Sequence, residues 1–190
     1  AARRAPSTAA PAPGEFLEAF RQAAEGEASA VLCITLSAEY SGTYAAAVNA
    51  AEMAATALPG VRIEVLDAGG LAMAHGFAVL EAARAAQAGA TLEEAMEIAR
   101  AVAGRAEMAG VLDTMRYLTK SGRVPWIVGW AASLLRIKPV VAFAGGKARS
   151  IGRVRTGAKG MDELLRYVRR KAGKAEGMHM AVMHAGAPGR

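Results

Sequence analysis

Aromatic side chains are scarce in this chain: Phe, Trp and Tyr make up 5% of its 190 residues. That excludes a core built on stacked rings and leaves few platforms on which nucleic-acid bases could stack. Cys33 is the single cysteine, which excludes an intramolecular disulfide. Within an apolar run it reads as a small core residue. No apolar run reaches the ~18 residues needed to span a membrane. The opening, Ala1-Ala-Arg-Arg-Ala-Pro6, lacks the apolar stretch of a secretory signal. Together these point to the cytoplasm. The three histidines, His75, His179 and His184, show no metal-ligand spacing. Neither G-x-x-x-x-G-K-[ST] nor G-x-G-x-x-G occurs.

The chain is 53% hydrophobic, a figure carried largely by alanine. The expected core is therefore Ala, Val, Leu, Ile and Met, with closely packed helices. Charge is divided along the sequence. Residues 1–114 hold 7 Lys and Arg against 14 Asp and Glu, whereas residues 115–190 hold 16 against 3. A basic second half suits an anionic partner: nucleic acid, a phosphate-bearing ligand or an acidic protein face. Part of the excess reads as the solvated side of a helix carrying Arg166, Arg169, Arg170 and Lys171.

Hydrophobic periodicity predicts a helix over 14–25, a strand over 30–36, a helix to residue 57, a strand over 61–66 and a helix over 71–88. Thr91-Leu-Glu-Glu94 has the capping-box pattern that starts another helix, running to about Gly104. This alternation predicts an α/β part over 1–104 with a parallel sheet and flanking helices. Over 105–190 the pattern changes to a smaller α+β part. A short strand ends near Val111-Leu112, and 115–120 is helical. Ile127–Leu135 is apolar all round and reads as a buried helix. Ile137–Phe143 and Ala148–Arg155 form a hairpin about Gly145-Gly146. Pro139 suggests that its strand lies at a sheet edge. A basic helix over 157–173 and a strand over 178–184 complete the pattern.

Ser37-Ala-Glu-Tyr-Ser-Gly-Thr-Tyr44 lies between the first strand and an alanine-rich helix. In an open α/β sheet this is the carboxyl edge of the strands, where ligands bind. A helix N-terminus presents unpaired N–H groups and favours an anion. Ser37, Ser41 and Thr43 carry hydroxyls that can donate to one. The same residues also suit plain N-capping of the helix, and the local sequence leaves both readings open.

The segment resembles the S-x-x-SGTY signature of the DegV family of bacterial fatty-acid-binding proteins, some of which are acyl-carrying subunits of fatty acid kinase. Four further stretches agree in order. Thr8-Ala-Ala-Pro-Ala-Pro13 with Glu15-Phe16 resembles the family's T-S-x-P-S-P-x-x-F loop. Val65-Leu-Asp67, Gly70 and Gly76 resemble its strand, turn and glycine-bearing helix. Leu112-Asp113-Thr114, Tyr117-Leu118 and Ser121-Gly-Arg-Val124 resemble its L-xx-L-xx-GGRI segment. Ile137-Lys-Pro139, Gly145-Gly-Lys147 and Arg155 resemble its hairpin.

The resemblance implies a DegV-like parallel sheet with flanking helices plus a smaller α+β second domain. It implies a non-catalytic protein holding one long-chain fatty acid between the two, with no other cofactor and no metal. The implied ligand-binding residues are Thr8, Ser37, Ser41, Gly42, Thr43, Arg123 and Arg155. A fatty acid kinase catalytic subunit is the implied partner. In the family an Asp-Ser strand precedes the first loop, and a histidine near the head group follows the last strand found here. Their absence is expected of a chain truncated at both ends. Ala9, Ala12 and Ala68 replace serines, which implies weaker carboxylate binding.

The physical reading of the residues agrees. A fatty acid needs a long apolar tunnel with a few donors at its mouth. Each buried CH₂ contributes ~0.8 kcal/mol. Ile127–Leu135 suits either a tunnel wall or ordinary core, and Arg123 and Arg155 suit either the tunnel mouth or plain surface. The alternative is a nucleic-acid-binding protein using the basic half. Against it, no recognition motif is present and aromatics are few. A hydrolase built on Ser41 would need a partnered histidine and a G-x-S-x-G elbow, and neither is found.

Overall fold

In the computed structural model the residues described are 7–26, 28–124, 137–173 and 177–186. The first elements alternate as expected: α1 (Pro13–Ala23), β1 (Ala30–Thr35), α2 (Thr43–Ala57), β2 (Arg62–Asp67), α3 (Met73–Gln87) and α4 (Leu92–Ala103). Pro13 starts α1, where a missing N–H costs nothing, and the Glu15 carboxylate accepts from Ala12 N–H at 2.7 Å. Thr91 and Glu94 close the expected box on α4. Thr91 Oγ1 accepts from Glu94 N–H at 3.2 Å, and the Glu94 carboxylate accepts from Thr91 N–H at 2.8 Å.

β1 and β2 pair in parallel, Ala30 opposite Arg62 through Thr35 opposite Asp67. Side chains alternate across a strand, so β1 feeds two cores. Val31 and Cys33 pack with Leu17, Phe20, Ala50 and Ala54 of α1 and α2 on one face. Leu32 and Ile34 pack with Leu66, Ala78, Ala82 and Ala99 toward α3 and α4 on the other. The buried alanines recur at helical spacing, at 47, 50 and 54 on α2 and at 74, 78 and 82 on α3. With so few aromatics, these small residues build the core by letting helix backbones approach the sheet closely. Burial in this layer pushes the Cys33 thiol up from its ordinary pKa.

The remaining elements are β3 (Met108–Val111), α5 (Arg116–Ser121), β4 (Lys138–Ala144), β5 (Lys147–Val154) and α6 (Gly157–Ala172). β3, β4 and β5 form an antiparallel sheet in that order. The β4–β5 turn has φ of 57° at Gly145 and 74° at Gly146, a pair that glycine adopts without steric cost. α6 packs on this sheet so closely that a Cβ on Gly160 would come within 2.6 Å of Val111 Cγ1. Tyr167 of α6 donates to the Glu107 carboxylate at 2.5 Å and accepts from Arg149 at 2.7 Å, while Lys171 donates to the other Glu107 oxygen at 2.5 Å. Burial would raise the Glu107 pKa. The Lys171 and Tyr167 hydrogen bonds, with the charges of Lys171 and Arg149, outweigh it and hold the carboxyl below its ordinary value. Part of the basic excess of the second half is therefore engaged at this acidic residue.

Two expectations need correction. β4 is the central strand of its sheet, not an edge. Pro139 is accommodated because it lies one residue beyond the last β3–β4 pair, Val111 opposite Val140, and beside an irregularity at Val140/Val141. Its carbonyl still accepts from Leu112 N–H at 3.0 Å, and the reciprocal bond that a proline cannot donate would fall where the β3–β4 ladder has already ended. The segment 178–184 is not a strand and pairs with none among the described residues. It runs by α3, with His179 Nδ1 3.6 Å from the Glu81 carboxylate and its ring centroid 6.1 Å from that of Phe77. Val182 is 91% exposed. The stretch Ile127–Leu135 lies outside the described residues.

Candidate functional site

The carboxyl edge of the parallel pair carries the site. β1 ends at Thr35, whose hydroxyl donates to Leu66 O at 3.4 Å. The chain then turns through Leu36–Gly42 into α2. Ser37 N–H donates to Gly70 O at 3.0 Å, and Tyr40 N–H donates to Ser37 O at 3.2 Å. The β1–α2 loop is thus bound both to itself and to the β2–α3 loop.

At the start of α2 the Ser41 and Thr43 hydroxyls lie 2.7 Å apart, and Thr43 N–H donates to Ser41 Oγ at 3.2 Å. Gly42, the N-cap, has no side chain to satisfy the first turn. The two hydroxyls share one hydrogen bond, so one O–H proton remains to donate elsewhere whichever of them is the donor. That proton and the first-turn N–H groups form a donor cluster at the positive end of the helix. The capping reading is met, since Ser41 accepts from Thr43 N–H, and the pair still retains a donor.

This cluster opens on a cavity of about 500 Å³, within the ~300–1,000 Å³ usual for small-molecule sites. Thr8 to Pro11, Ser41 to Thr43 and Arg123 line it, together with an apolar wall that includes Leu36, Leu71 and Phe143. Tyr40 joins the two halves of the wall. Its hydroxyl accepts from Ala148 N–H at 2.8 Å, its ring meets Phe143 edge-on at 5.7 Å, and its carbonyl accepts from Arg123 Nε at 2.8 Å. Tyr40, Met115 and Val124 form the buried cluster beneath, with Leu112, Leu118 and Ala148 packed against it. The cavity is therefore apolar along its walls, with hydroxyls, helix N–H groups and one guanidinium at its polar side. Such an arrangement suits an amphiphile with a negative head.

The structure thus brings Thr8, Ser41, Gly42, Thr43 and Arg123 around one cavity. Ser37 is buried at 2% exposure and does not line it. Arg155 follows β5, is exposed, and does not line it either. Tyr40, Leu71 and Phe143 were not singled out from sequence. Tyr40 falls inside the Ser37–Tyr44 segment, but its three partners lie some 80 to 110 residues away and leave no local signal. No helix among the described residues is long and apolar enough to cross a membrane.

Fold and site together define a mixed α/β protein with a largely apolar cavity and a donor cluster at one helix N-terminus. The DegV family model matches residues 1–190. The chain belongs to the DegV family. A DegV domain-containing protein of Streptomyces coelicolor is 37% identical over 188 residues, which is 99% of this chain and 65% of that protein. The structure of a fatty-acid-binding DegV family protein from Thermus thermophilus superposes with a TM-score of 0.76 at 30% identity, over 90% of this chain and 59% of that one. A DegV lipid-binding protein from Thermotoga maritima superposes with a TM-score of 0.74 at 25% identity, over 90% and 57%. The chain therefore spans about three fifths of the length of these relatives.

Proposed function

We propose that this chain binds one long-chain fatty acid, with the carboxylate at the Ser41–Gly42–Thr43 turn and the tail along the apolar wall between the α/β part and the α+β part. The observation that carries the reading is the pair of hydroxyls at the α2 N-terminus opening directly onto a mostly apolar cavity. Tail burial supplies affinity at ~0.8 kcal/mol per CH₂. The donor cluster supplies orientation and selects a charged head over a neutral one. The fatty-acid-binding relative from Thermus thermophilus supports the ligand class.

Thr8 and Arg123 complete the head-group surroundings. Ser37 acts through the loop it holds. Arg155 belongs to the surface that meets a partner. In this reading the protein is a carrier, not a catalyst, and presents the carboxylate to a separate fatty acid kinase. Native mass spectrometry of the purified chain tests the ligand directly. An adduct of fatty-acid mass that disappears on delipidation and returns with added oleate is expected. A protein that takes up no oleate after delipidation would end the proposal.

A further inference from the structure

Asp67 ends β2 and does not line the cavity. Its carboxylate bridges two loops. Oδ1 accepts from Gly69 N–H at 2.7 Å, and Oδ2 accepts from Ala38 N–H at 3.2 Å. Ala38 belongs to the loop that carries Tyr40 and Ser41 and leads into Thr43 of α2, while Gly69 belongs to the loop that carries Leu71. Two backbone bonds run alongside: Ser37 N–H to Gly70 O and Ala68 N–H to Thr35 O, each 3.0 Å. The second loop is tightly constrained. Gly69 has φ 60° and Ala72 has φ 52°, a conformation that L side chains rarely adopt. A Cβ on Gly70 would lie 3.1 Å from His75 N.

We infer that Asp67 is a positioning residue for the carboxylate end of the site: its ionised side chain clamps the β1–α2 loop to the β2–α3 loop and so sets the place of the Ser41–Thr43 donor pair. The inference rests on the fatty-acid reading above and deepens it. An acidic residue close to a site for an anion is costly on charge grounds alone. Its presence is accounted for if both oxygens are committed to N–H donors that no neutral side chain of the same size could satisfy together. Asn offers one acceptor, and its amide group would face the second N–H donor to donor.

The two effects have opposite signs, and this makes the inference testable. Asp67→Asn removes a negative charge, so charge alone predicts tighter oleate binding. Loss of the clamp predicts weaker binding. The measurement is a displacement titration of the delipidated chain with oleate and, in parallel, with oleyl alcohol, which has the same tail and no charge. Asp67→Asn is expected to weaken oleate about tenfold, the scale of one charge-assisted hydrogen bond, and to leave oleyl alcohol within about twofold. Oleate affinity unchanged or raised overturns the inference. Equal weakening of both ligands also overturns it, since that reports general loosening of the fold.

Wild-type protein that binds neither ligand refutes the fatty-acid reading itself, which separates the two failures. Amide exchange on the wild type covers a variant that does not fold. The Ala38 and Gly69 amides should exchange slowly and slow further with oleate, and rapid exchange at both sinks the clamp.

Discussion

Replacing Ser41 with Ala perturbs the donor cluster with little change in volume. The hydroxyl accepts from Thr43 N–H at 3.2 Å and shares a 2.7 Å hydrogen bond with Thr43 Oγ1. Two costs follow, on different observables. For folding, Thr43 N–H loses its acceptor at a half-buried helix start, where water replaces it in part, so stability falls by ~0.5–1 kcal/mol, as for loss of a modest cap. For binding, with Thr43 donating to Ser41 it is the Ser41 O–H that faces the carboxylate, and its loss costs up to ~1.5–3 kcal/mol, or up to roughly 10- to 150-fold in Kd, less what the freed Thr43 hydroxyl restores.

The shared hydrogen bond adds a second signature. Once Ser41 is gone, the Thr43 hydroxyl is free to turn toward the ligand, so Ser41→Ala and Thr43→Val should not be additive. Coupling of ~0.5 kcal/mol or more between them is expected. The assay is fluorescent fatty-acid displacement on all four members of the cycle, with urea unfolding run beside it. Unchanged oleate affinity in both Ser41→Ala and the double variant, at stabilities within ~1 kcal/mol of wild type, would refute the placement of the carboxylate at this turn.

Two other outcomes follow from the packing of α6. Gly160→Ala places a methyl 2.6 Å from Val111 Cγ1. It should destabilise by ~1–3 kcal/mol, part of which Val111→Ala in the same chain recovers; a urea midpoint equal to wild type would contradict the close approach of α6 to β3. Because Glu107 has its pKa lowered in the folded state, its contribution to stability is present above the unfolded value near pH 4.5 and is lost as pH falls through the folded value. Tyr167→Phe removes one of the bonds holding that pKa down, so it should lower stability at pH 7 by ~1 kcal/mol and narrow its gap to wild type in acid; a gap that is the same at pH 7 and pH 3 would show that Glu107 is not the group responsible.

What depends on near neighbours was legible in the sequence. The alternation of β1, the capping box of α4 and the glycine pair of the β4–β5 turn are set within a few residues by sterics and by backbone donors that need satisfying. The Ser41–Thr43 turn was legible for the same reason, since strand, hydroxyls and helix follow in eight residues. Pairing between distant segments was not legible. Pro139 looked like an edge residue, yet its strand is central, flanked by β3 and β5, and the proline is tolerated because β3 stops one residue short of it. Residues 178–184 have the composition of a strand, but a strand exists only where another backbone supplies the partner groups. The tertiary structure alone decided the walls of the cavity: Tyr40 reaches Ala148 and Arg123, Leu71 arrives on a loop held by Asp67, and Phe143 arrives from the second sheet. A hydroxyl-bearing turn is a local property of the chain. A cavity is a property of surfaces brought together from far apart in it, and no local pattern encodes which surfaces will meet.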